Sequence, residues 1–149
     1  MKKTVFILDD HPLVADGFAK IINSTDHFIV SKCSAYPTDL FEYLSKNKVD
    51  LVILDINLGK NNNGLTLVPK LKKLNPVIKV LILTMHKEYV FVKKAKDYFV
   101  DGYLTKDISS EELITSLEKM FSGSSIFPEG DNNIQDNMFL DSHGLLKNL

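Results

Sequence analysis

The segment DLVILD, residues 50–55, places four apolar residues between two aspartates. The run does not alternate with polar residues, as a strand with one exposed face does. A continuous apolar run of this length is typical of a strand that is buried on both faces in a parallel sheet. We therefore expect helices on both sides of this strand and functional groups at its ends.

Four further apolar runs recur at intervals that are too wide for hairpins, and two of them, VFIL at 5–8 and VLIL at 80–83, are also apolar throughout. The segments between the runs carry apolar residues at helical spacing. This alternation predicts an α/β fold, (βα)5, with an open, doubly wound parallel sheet. The predicted strands cover residues 4–8, 28–33, 51–54, 80–83 and 100–104.

Each of the five predicted helices has an apolar stripe that we expect to face the sheet. The last helix follows a Ser-Ser-Glu-Glu sequence at 109–112, which suits a helix N-terminus. The stripes contain Leu13, Phe18, Ile21 and Ile22 in the first helix, Leu40, Phe41 and Leu44 in the second, Leu65, Val68, Leu71 and Leu74 in the third, residues 90–95 in the fourth, and Leu113, Leu117, Met120 and Phe121 in the fifth.

The chain has 149 residues, which predicts one domain, at 1–122, and a linker or tail at 123–149. After Gly123 the sequence SSIFPEGDNNIQDN is rich in residues that favour turns and linkers. The final MFLDSHGLLKNL is too short to fold alone, so it packs on the domain or begins a further domain.

The charge and cysteine content exclude some classes of partner and location. With 18 Lys and Arg against 19 Asp and Glu, the net charge of −1 does not attract the whole chain to nucleic acid or to an anionic membrane. The single cysteine, Cys33, excludes an internal disulfide, and no apolar segment resembles a signal peptide or a membrane span. We expect a cytoplasmic protein with no membrane partner.

Polar residues follow the predicted strands at the edge where their carboxyl ends meet. In a sheet of this kind we expect Asp9, Asp10, Asp55, Thr84 and Lys106 to converge there. Two carboxylates about 4 Å apart repel by about 4 kcal/mol at an effective dielectric constant of about 20, so the cluster needs a cation. Mg²⁺ prefers oxygen ligands and is typically held by one or two carboxylates together with a phosphate. Aspartate can also attack phosphorus, and Asp55 is the best-placed nucleophile.

Four strings in order, ILDDHP, DLVILDINL, LILTMH and DGYLTKD, resemble the receiver domains of two-component response regulators, over about residues 3–122. The strings are similar to those of receivers attached to LuxR- or NarL-type DNA-binding domains. The resemblance implies a flavodoxin-like fold with strand order 2-1-3-4-5. It also implies a phosphoryl donor that is a histidine kinase or phosphotransfer protein, a possible homodimer, and transcription control through a helix-turn-helix domain that this chain does not contain.

The resemblance assigns roles to the residues that match the family's motifs. Asp55 would be the phosphoacceptor, with Mg²⁺ held by Asp55, by Asp10 directly, by Asp9 largely through water, and by the backbone carbonyl of Asn57. Lys106 would pair with the phosphoryl group.

The remaining assigned residues belong to the switch. The Thr84 hydroxyl would bond to the phosphoryl group after transfer, and Tyr103 would be the switch aromatic. Asn57 and His86 would tune hydrolysis.

Alternatives of other classes remain open. A stand-alone receiver would act through protein contacts alone. A metal-dependent phosphatase of the haloacid dehalogenase type also uses a strand-end aspartate, but that family has Asp-x-Asp-x-Thr after its first strand, whereas Asp55 follows the third and has Asn57 two residues on. A nucleotide- or flavin-binding module lacks support because the first strand-to-helix turn has no glycine-rich loop.

For the receiver that the motifs resemble, we expect self-phosphorylation from a phosphodonor and slow self-dephosphorylation, not enzymatic turnover.

Overall fold

A computed structural model describes residues 1–60 and 62–128. Five parallel strands form one sheet in the order β2-β1-β3-β4-β5, and helices cover both of its faces. The predicted flavodoxin-like (βα)5 fold and its strand order are therefore confirmed. The strands are β1 (Lys3–Leu8), β2 (Phe28–Ser34), β3 (Leu51–Leu54), β4 (Lys79–Thr84) and β5 (Gly102–Thr105), and the helices are α1 (Pro12–Asn23), α2 (Pro37–Lys46), α3 (Val68–Leu74), α4 (Tyr89–Asp97) and α5 (Ser110–Phe121).

Two apolar layers hold the sheet between the helices. One layer joins the sheet to α2, α3 and α4, and the other joins it to α1 and α5. Successive residues of β1 alternate between the layers, since Phe6 and Leu8 face the first and Val5 and Ile7 face the second. All four residues of β3 are buried, which is the reason that the DLVILD run is continuously apolar.

Three apolar residues of the predicted helical stripes do not face the core. Leu13 is 87% exposed, Val90 is 66% exposed and Leu74 is 62% exposed, so their assignment to the buried stripes is wrong. Leu13 lies in the first turn of α1, where Ala15 and Ile22 are the buried residues. Leu74 is the last residue of α3, and the chain leaves the helix at Asn75 in an extended conformation.

The third predicted helix begins with a different kind of turn. Leu65 lies in a short 3₁₀ helix, Gly64–Leu67, whose N-terminus is capped by the side chain of Asn63. The regular α-helix starts only at Val68, with a proline in its first turn. At α5 the predicted N-terminus is confirmed, because Ser109 and Glu112 form a reciprocal capping box.

The fifth strand starts later than predicted. Residue 100 was its predicted first residue, but the backbone N–H of Val100 bonds to Ala95 of α4 and the strand begins at Gly102. Phe99 has a φ of 64°, which turns the chain from α4 towards the sheet. Val100 is still buried, so its apolar character reflects core packing at the end of a helix and not strand pairing.

Part of the predicted linker lies beside β5, an outer strand of the sheet. Ile126 forms a parallel bridge with Gly102 of β5, and its carbonyl accepts a 2.7 Å hydrogen bond from the backbone N–H of Tyr103. Phe127 packs against the apolar layer of α2, α3 and α4, below the ammonium group of Lys96. Residues 129–149, which include the remainder of the predicted linker and the final apolar segment, lie outside the described residues. Among helices within 1–60 and 62–128, none has the length and apolarity that crossing a bilayer requires.

Candidate phosphoacceptor site

The strand register brings the predicted acidic residues to one edge of the sheet. Leu8 of β1 pairs with Leu54 of β3, so Asp9 and Asp55 follow at adjacent strand ends. Both side chains are almost fully buried, at 5% and 3% exposure. Together with Asp10 they place three carboxylates within a few ångströms, and their ligand atoms lie within 4.8 Å of one another.

Lys106 is the cation of this cluster. Leu83 and Thr84 of β4 pair with Leu104 and Thr105 of β5, which delivers Lys106 to the same edge. Its Nζ lies 2.7 Å from Oδ2 of Asp9 and 2.8 Å from Oδ2 of Asp55. Burial alone would lower the pKa of the ammonium, but hydrogen bonds to the two carboxylates and their charges outweigh burial and raise the pKa above its usual value.

One ammonium does not balance three carboxylates, and Asp10 is the carboxylate left over. Its Oδ1 lies 3.0 Å from Nδ1 of His11, but the hydrogen bond of that nitrogen goes to Asp9. Within the part of the chain that the structure describes, Oδ1 of Asp10 is the one buried side-chain oxygen or nitrogen that lacks a hydrogen-bond partner. A buried oxygen of this kind costs about 1–3 kcal/mol unless a ligand satisfies it. The chemistry of the donor set, carboxylate oxygens with an unpartnered acceptor, fits Mg²⁺.

Glycines let the chain approach the cluster closely. A side chain at Gly64 would overlap the backbone carbonyl of Asp55, so no larger residue fits there without moving the loop. Gly59 has a φ of 76°, and a Cβ atom added to it would lie 3.3 Å from Oδ2 of Asp10. The loop after β3 therefore packs directly against two of the three acidic residues.

The structure places Thr84 and Tyr103 beside the cluster and connects them through one loop. Thr84 is fully buried, and its hydroxyl accepts a long hydrogen bond, 3.4 Å, from the backbone N–H of His86. The Tyr103 ring is also fully buried, and its hydroxyl donates a 2.8 Å hydrogen bond to the carbonyl of His86. Burial, together with the negative charges of Glu88 and Asp55, raises the pKa of Tyr103 well above its usual value.

Of the two residues predicted to tune hydrolysis, Asn57 lies close to Asp55 and the His86 ring points elsewhere. Asn57 follows Asp55 closely, and its backbone N–H lies 3.4 Å from Oδ1 of Asp55. The His86 ring instead lies against Phe91, with ring centroids 4.7 Å apart, and its Nδ1 is 3.1 Å from a carboxylate oxygen of Glu88. These contacts direct His86 towards α4.

His11 is a member of the cluster that the sequence reasoning missed. Its Nδ1 lies 2.9 Å from Oδ1 of Asp9, 3.0 Å from Oδ1 of Asp10 and 3.8 Å from Oδ2 of Asp55. The available signal was its position directly after the acidic doublet at the end of β1. Nothing in that position alone shows that the ring points towards the carboxylates.

Comparison with known proteins agrees with the fold. Residues 5–118 match the response regulator receiver domain family. The chain is 26% identical to the transcriptional regulatory protein MctR of Rhizobium johnstonii over 129 residues, which cover 87% of this chain and 60% of that protein. It is 29% identical to the methanol utilization control regulatory protein MoxX of Paracoccus denitrificans, over 80% of this chain and 53% of that protein. The chain thus spans less than two thirds of the length of these relatives.

Solved structures show the same fold. A two-component response regulator of the LuxR family from Aurantimonas sp. SI85-9A1 has a TM-score of 0.79 and 23% identity, and the match covers 89% of this chain and 94% of that one. The isolated receiver domain of RcsB from Salmonella enterica serovar Typhimurium, solved in the presence of the phosphomimetic BeF3−, also has a TM-score of 0.79, with 24% identity over 87% of this chain and 95% of that one. With the family match over most of its length, this chain belongs to the receiver domain family of two-component response regulators.

Proposed function

We propose that the domain is a phosphorylation-driven switch in which Asp55 is the phosphoacceptor. The observation that carries the proposal is the Asp55 carboxylate itself, which is 3% exposed, is held 2.8 Å from the Lys106 ammonium, and is followed by a loop packed tightly against it. A carboxylate oxygen attacks phosphorus, the bond between phosphorus and the donor breaks, and the donor leaves with the electron pair. The donor is a histidine kinase, a phosphotransfer protein or a small acyl phosphate.

The charged residues around Asp55 have different roles in phosphoryl transfer. Lys106 offsets the negative charge of the transferred group and orients the carboxylate before transfer. Asp10, whose Oδ1 has no hydrogen bond, would be the direct Mg²⁺ ligand, together with Asp55 and the Asn57 carbonyl. Both oxygens of Asp9 already accept hydrogen bonds from His11 and Lys106, which favours an indirect role through water. When bound, Mg²⁺ supplies the positive charge that brings phosphate and carboxylate oxygens together.

Phosphorylation changes the output face through Thr84 and Tyr103. The modification adds about −1.5 to −2 charges and new acceptor oxygens, and the Thr84 hydroxyl is the nearby neutral donor that can turn towards them. Movement of the Thr84 hydroxyl shifts the loop that carries His86. The His86 carbonyl accepts a hydrogen bond from the Tyr103 hydroxyl, so Tyr103 is affected as well. Tyr103 in turn bonds through its backbone N–H to Ile126, so the state of the site reaches the segment after α5.

We propose that the output is transcriptional control in the cytoplasm. In support of this output, one of the relatives is named as a transcriptional regulatory protein. DNA binding would require a domain beyond the receiver. The homodimer stays a prediction, as does the division of the chain at residue 122.

The test is chemical labelling with acetyl phosphate, followed by intact mass measurement. We expect one phosphoryl group on the wild type with Mg²⁺, none with a chelator in excess, and none on Asp55→Asn. Asp50→Asn is the matched control, because Asp50 lies at the other end of β3, and it should be labelled like the wild type. Equal labelling of Asp55→Asn would remove Asp55 from its role, and sustained hydrolysis of a phosphate ester, which a receiver does not use as a donor, would favour the phosphatase alternative.

A further inference from the structure

The imidazole of His11 is turned towards the acidic cluster and away from its own helix. His11 is the N-cap residue of α1, but its side chain makes no capping hydrogen bond. Its Nδ1 instead lies 2.9 Å and 3.0 Å from carboxylate oxygens of Asp9 and Asp10. About half of the side chain remains exposed, at 52%, so the ring is not held there by core packing.

The arrangement supplies a nitrogen donor to a site that is otherwise made of oxygens. Neighbouring ligands of an octahedral ion with ion–ligand distances of about 2.1 Å lie about 3 Å apart, which is the separation of Nδ1 from Oδ1 of Asp10. A metal ion that binds Nδ1 would displace the proton that this nitrogen shares with Asp9 in the metal-free site, and the proton would pass to solvent. Mg²⁺ takes oxygen ligands and gains little from an imidazole, whereas Zn²⁺ and Ni²⁺ bind imidazole well. The identity of the fourth donor therefore affects which ion the site prefers.

We propose that His11 is a metal ligand that gives this site affinity for borderline first-row divalent ions, such as Zn²⁺, in competition with Mg²⁺. The inference rests on the metal site of the proposed function and assigns it a further ligand and a further class of ion. Asp9, Asp10, His11 and Asp55 form the one group of potential ligands of this kind within residues 1–60 and 62–128. Zn²⁺ at this position would occupy the carboxylates that the phosphorylation chemistry needs.

The first experiment measures dissociation constants of Zn²⁺ and Mg²⁺ by calorimetry at one fixed pH. We expect His11→Ala and His11→Asn to weaken Zn²⁺ binding at least about tenfold and to leave Mg²⁺ binding within about twofold. His11→Asn is informative because its amide oxygen replaces the nitrogen near the same place. His27→Ala, which changes an exposed histidine outside the cluster, should bind both ions like the wild type.

The second readout is independent of phosphorylation and of affinity. In protein carrying ¹⁵N-labelled histidine, Zn²⁺ should shift the Nδ1 resonance of His11 strongly and that of His86 little. Unchanged Zn²⁺ affinity in His11→Ala, or a dominant shift at another histidine, would overturn the inference. Labelling of Asp55 with Mg²⁺ and acetyl phosphate is scored separately, so loss of the phosphoacceptor role and loss of the His11 role give different results.

Discussion

The two edges of the sheet use aspartate in opposite ways. At the amino-terminal edge, Oδ2 of Asp50 accepts hydrogen bonds from the backbone N–H and the hydroxyl of Thr4. Oδ2 of Asp101 accepts from Lys72 Nζ at 2.8 Å and from the backbone N–H of Val80 at 2.9 Å. Each of these carboxylates has its own donors, and each ties two elements of the fold together.

At the carboxyl-terminal edge the donors are too few. Asp9 and Asp55 share the ammonium of Lys106, and the ring of His11 hydrogen-bonds to Asp9. Oδ1 of Asp10 lies 3.0 Å from the same ring nitrogen but has no hydrogen bond. The comparison teaches that a strand-end aspartate is structural when local donors match its charge. It is available for chemistry when they do not, because an added cation or phosphoryl group then gains interactions that the fold has left unmade.

The largest expected difference between the edges is in the effect of removing a lysine. Lys106→Met should slow phosphorylation by acetyl phosphate by at least about 100-fold, because the developing charge loses its fixed cation. Lys72→Met removes a lysine with an equally short ion pair at the other edge, and its phosphorylation rate should stay within about twofold of the wild type. Initial rates from intact mass, with circular dichroism to confirm folding, make the measurement. Similar phosphorylation rates for Lys106→Met and Lys72→Met would contradict the role of Lys106 in phosphoryl transfer.

Removing the unpartnered carboxylate should change how Mg²⁺ affects stability. Wild-type protein at a Mg²⁺ concentration of about 100 times the dissociation constant should gain about 2.7 kcal/mol in free energy of unfolding. Asp10→Asn should lose this gain, and in chelator it should be more stable than the wild type because one repelling charge is gone. Urea denaturation with Mg²⁺ and with chelator tests both parts. An Asp10→Asn variant that is less stable than the wild type in chelator would contradict the assignment of Asp10 as an unsatisfied charge.

The opposite result is expected for an aspartate at the amino-terminal edge. Asp101→Asn should lower the free energy of unfolding by about 1–3 kcal/mol, because the bonds to Lys72 and Val80 lose their charged acceptor. Labelling of Asp55 in the folded variant should be unchanged. Chemical denaturation and mass labelling of the same preparation provide the two readings. Reduced labelling without reduced stability would show that the edges are coupled.

The smallest effect concerns Tyr103 and depends on pH. Tyr103→Phe should cost about 1 kcal/mol at pH 7, through loss of the hydrogen bond to His86. The pKa of Tyr103 is raised in the folded state. Above about pH 10 the tyrosine of the unfolded chain loses its proton, whereas Tyr103 of the folded protein keeps it. The stability that this proton contributes is present below the unfolded pKa and falls by about 1.4 kcal/mol per pH unit above it.

The difference between wild type and Tyr103→Phe should therefore shrink above pH 10 and then reverse. Urea denaturation of both proteins at pH 7, 10 and 11 makes the comparison, since shared effects of alkali on lysines cancel. A difference that does not change with pH would mean that the Tyr103 hydroxyl is not buried in solution.

The sequence was sufficient for the parallel α/β architecture and for the acidic cluster, whereas the strand order was implied by the family resemblance. Continuous apolar runs identified β1, β3 and β4, because only doubly buried strands need apolar residues on both faces. The strand-end positions then placed Asp9, Asp55 and Lys106 together, since parallel strands share an edge. The register that sets the observed distances follows from the whole sheet.

Errors arose where an apolar residue has a role other than the one its spacing suggests. Leu13, Val90 and Leu74 lie at helical spacing but at helix ends, where the chain direction decides which side faces the core. The pairing of Ile126 with β5 fills hydrogen bonds of an edge strand, which no local pattern in a turn-rich segment reveals. His11 was missed because its role depends on the orientation of its ring, which is turned towards Asp9 and Asp10.

The most direct test of the central claim is to locate the phosphoryl group by reductive trapping. Borohydride reduces an aspartyl phosphate to homoserine with release of phosphate, so the modified position remains marked after proteolysis. After treatment with acetyl phosphate and Mg²⁺, peptide mapping should find homoserine at position 55 and leave Asp9 and Asp10 intact. Homoserine at position 9 or 10, or at no position in protein that has taken up a phosphoryl group, would contradict the account.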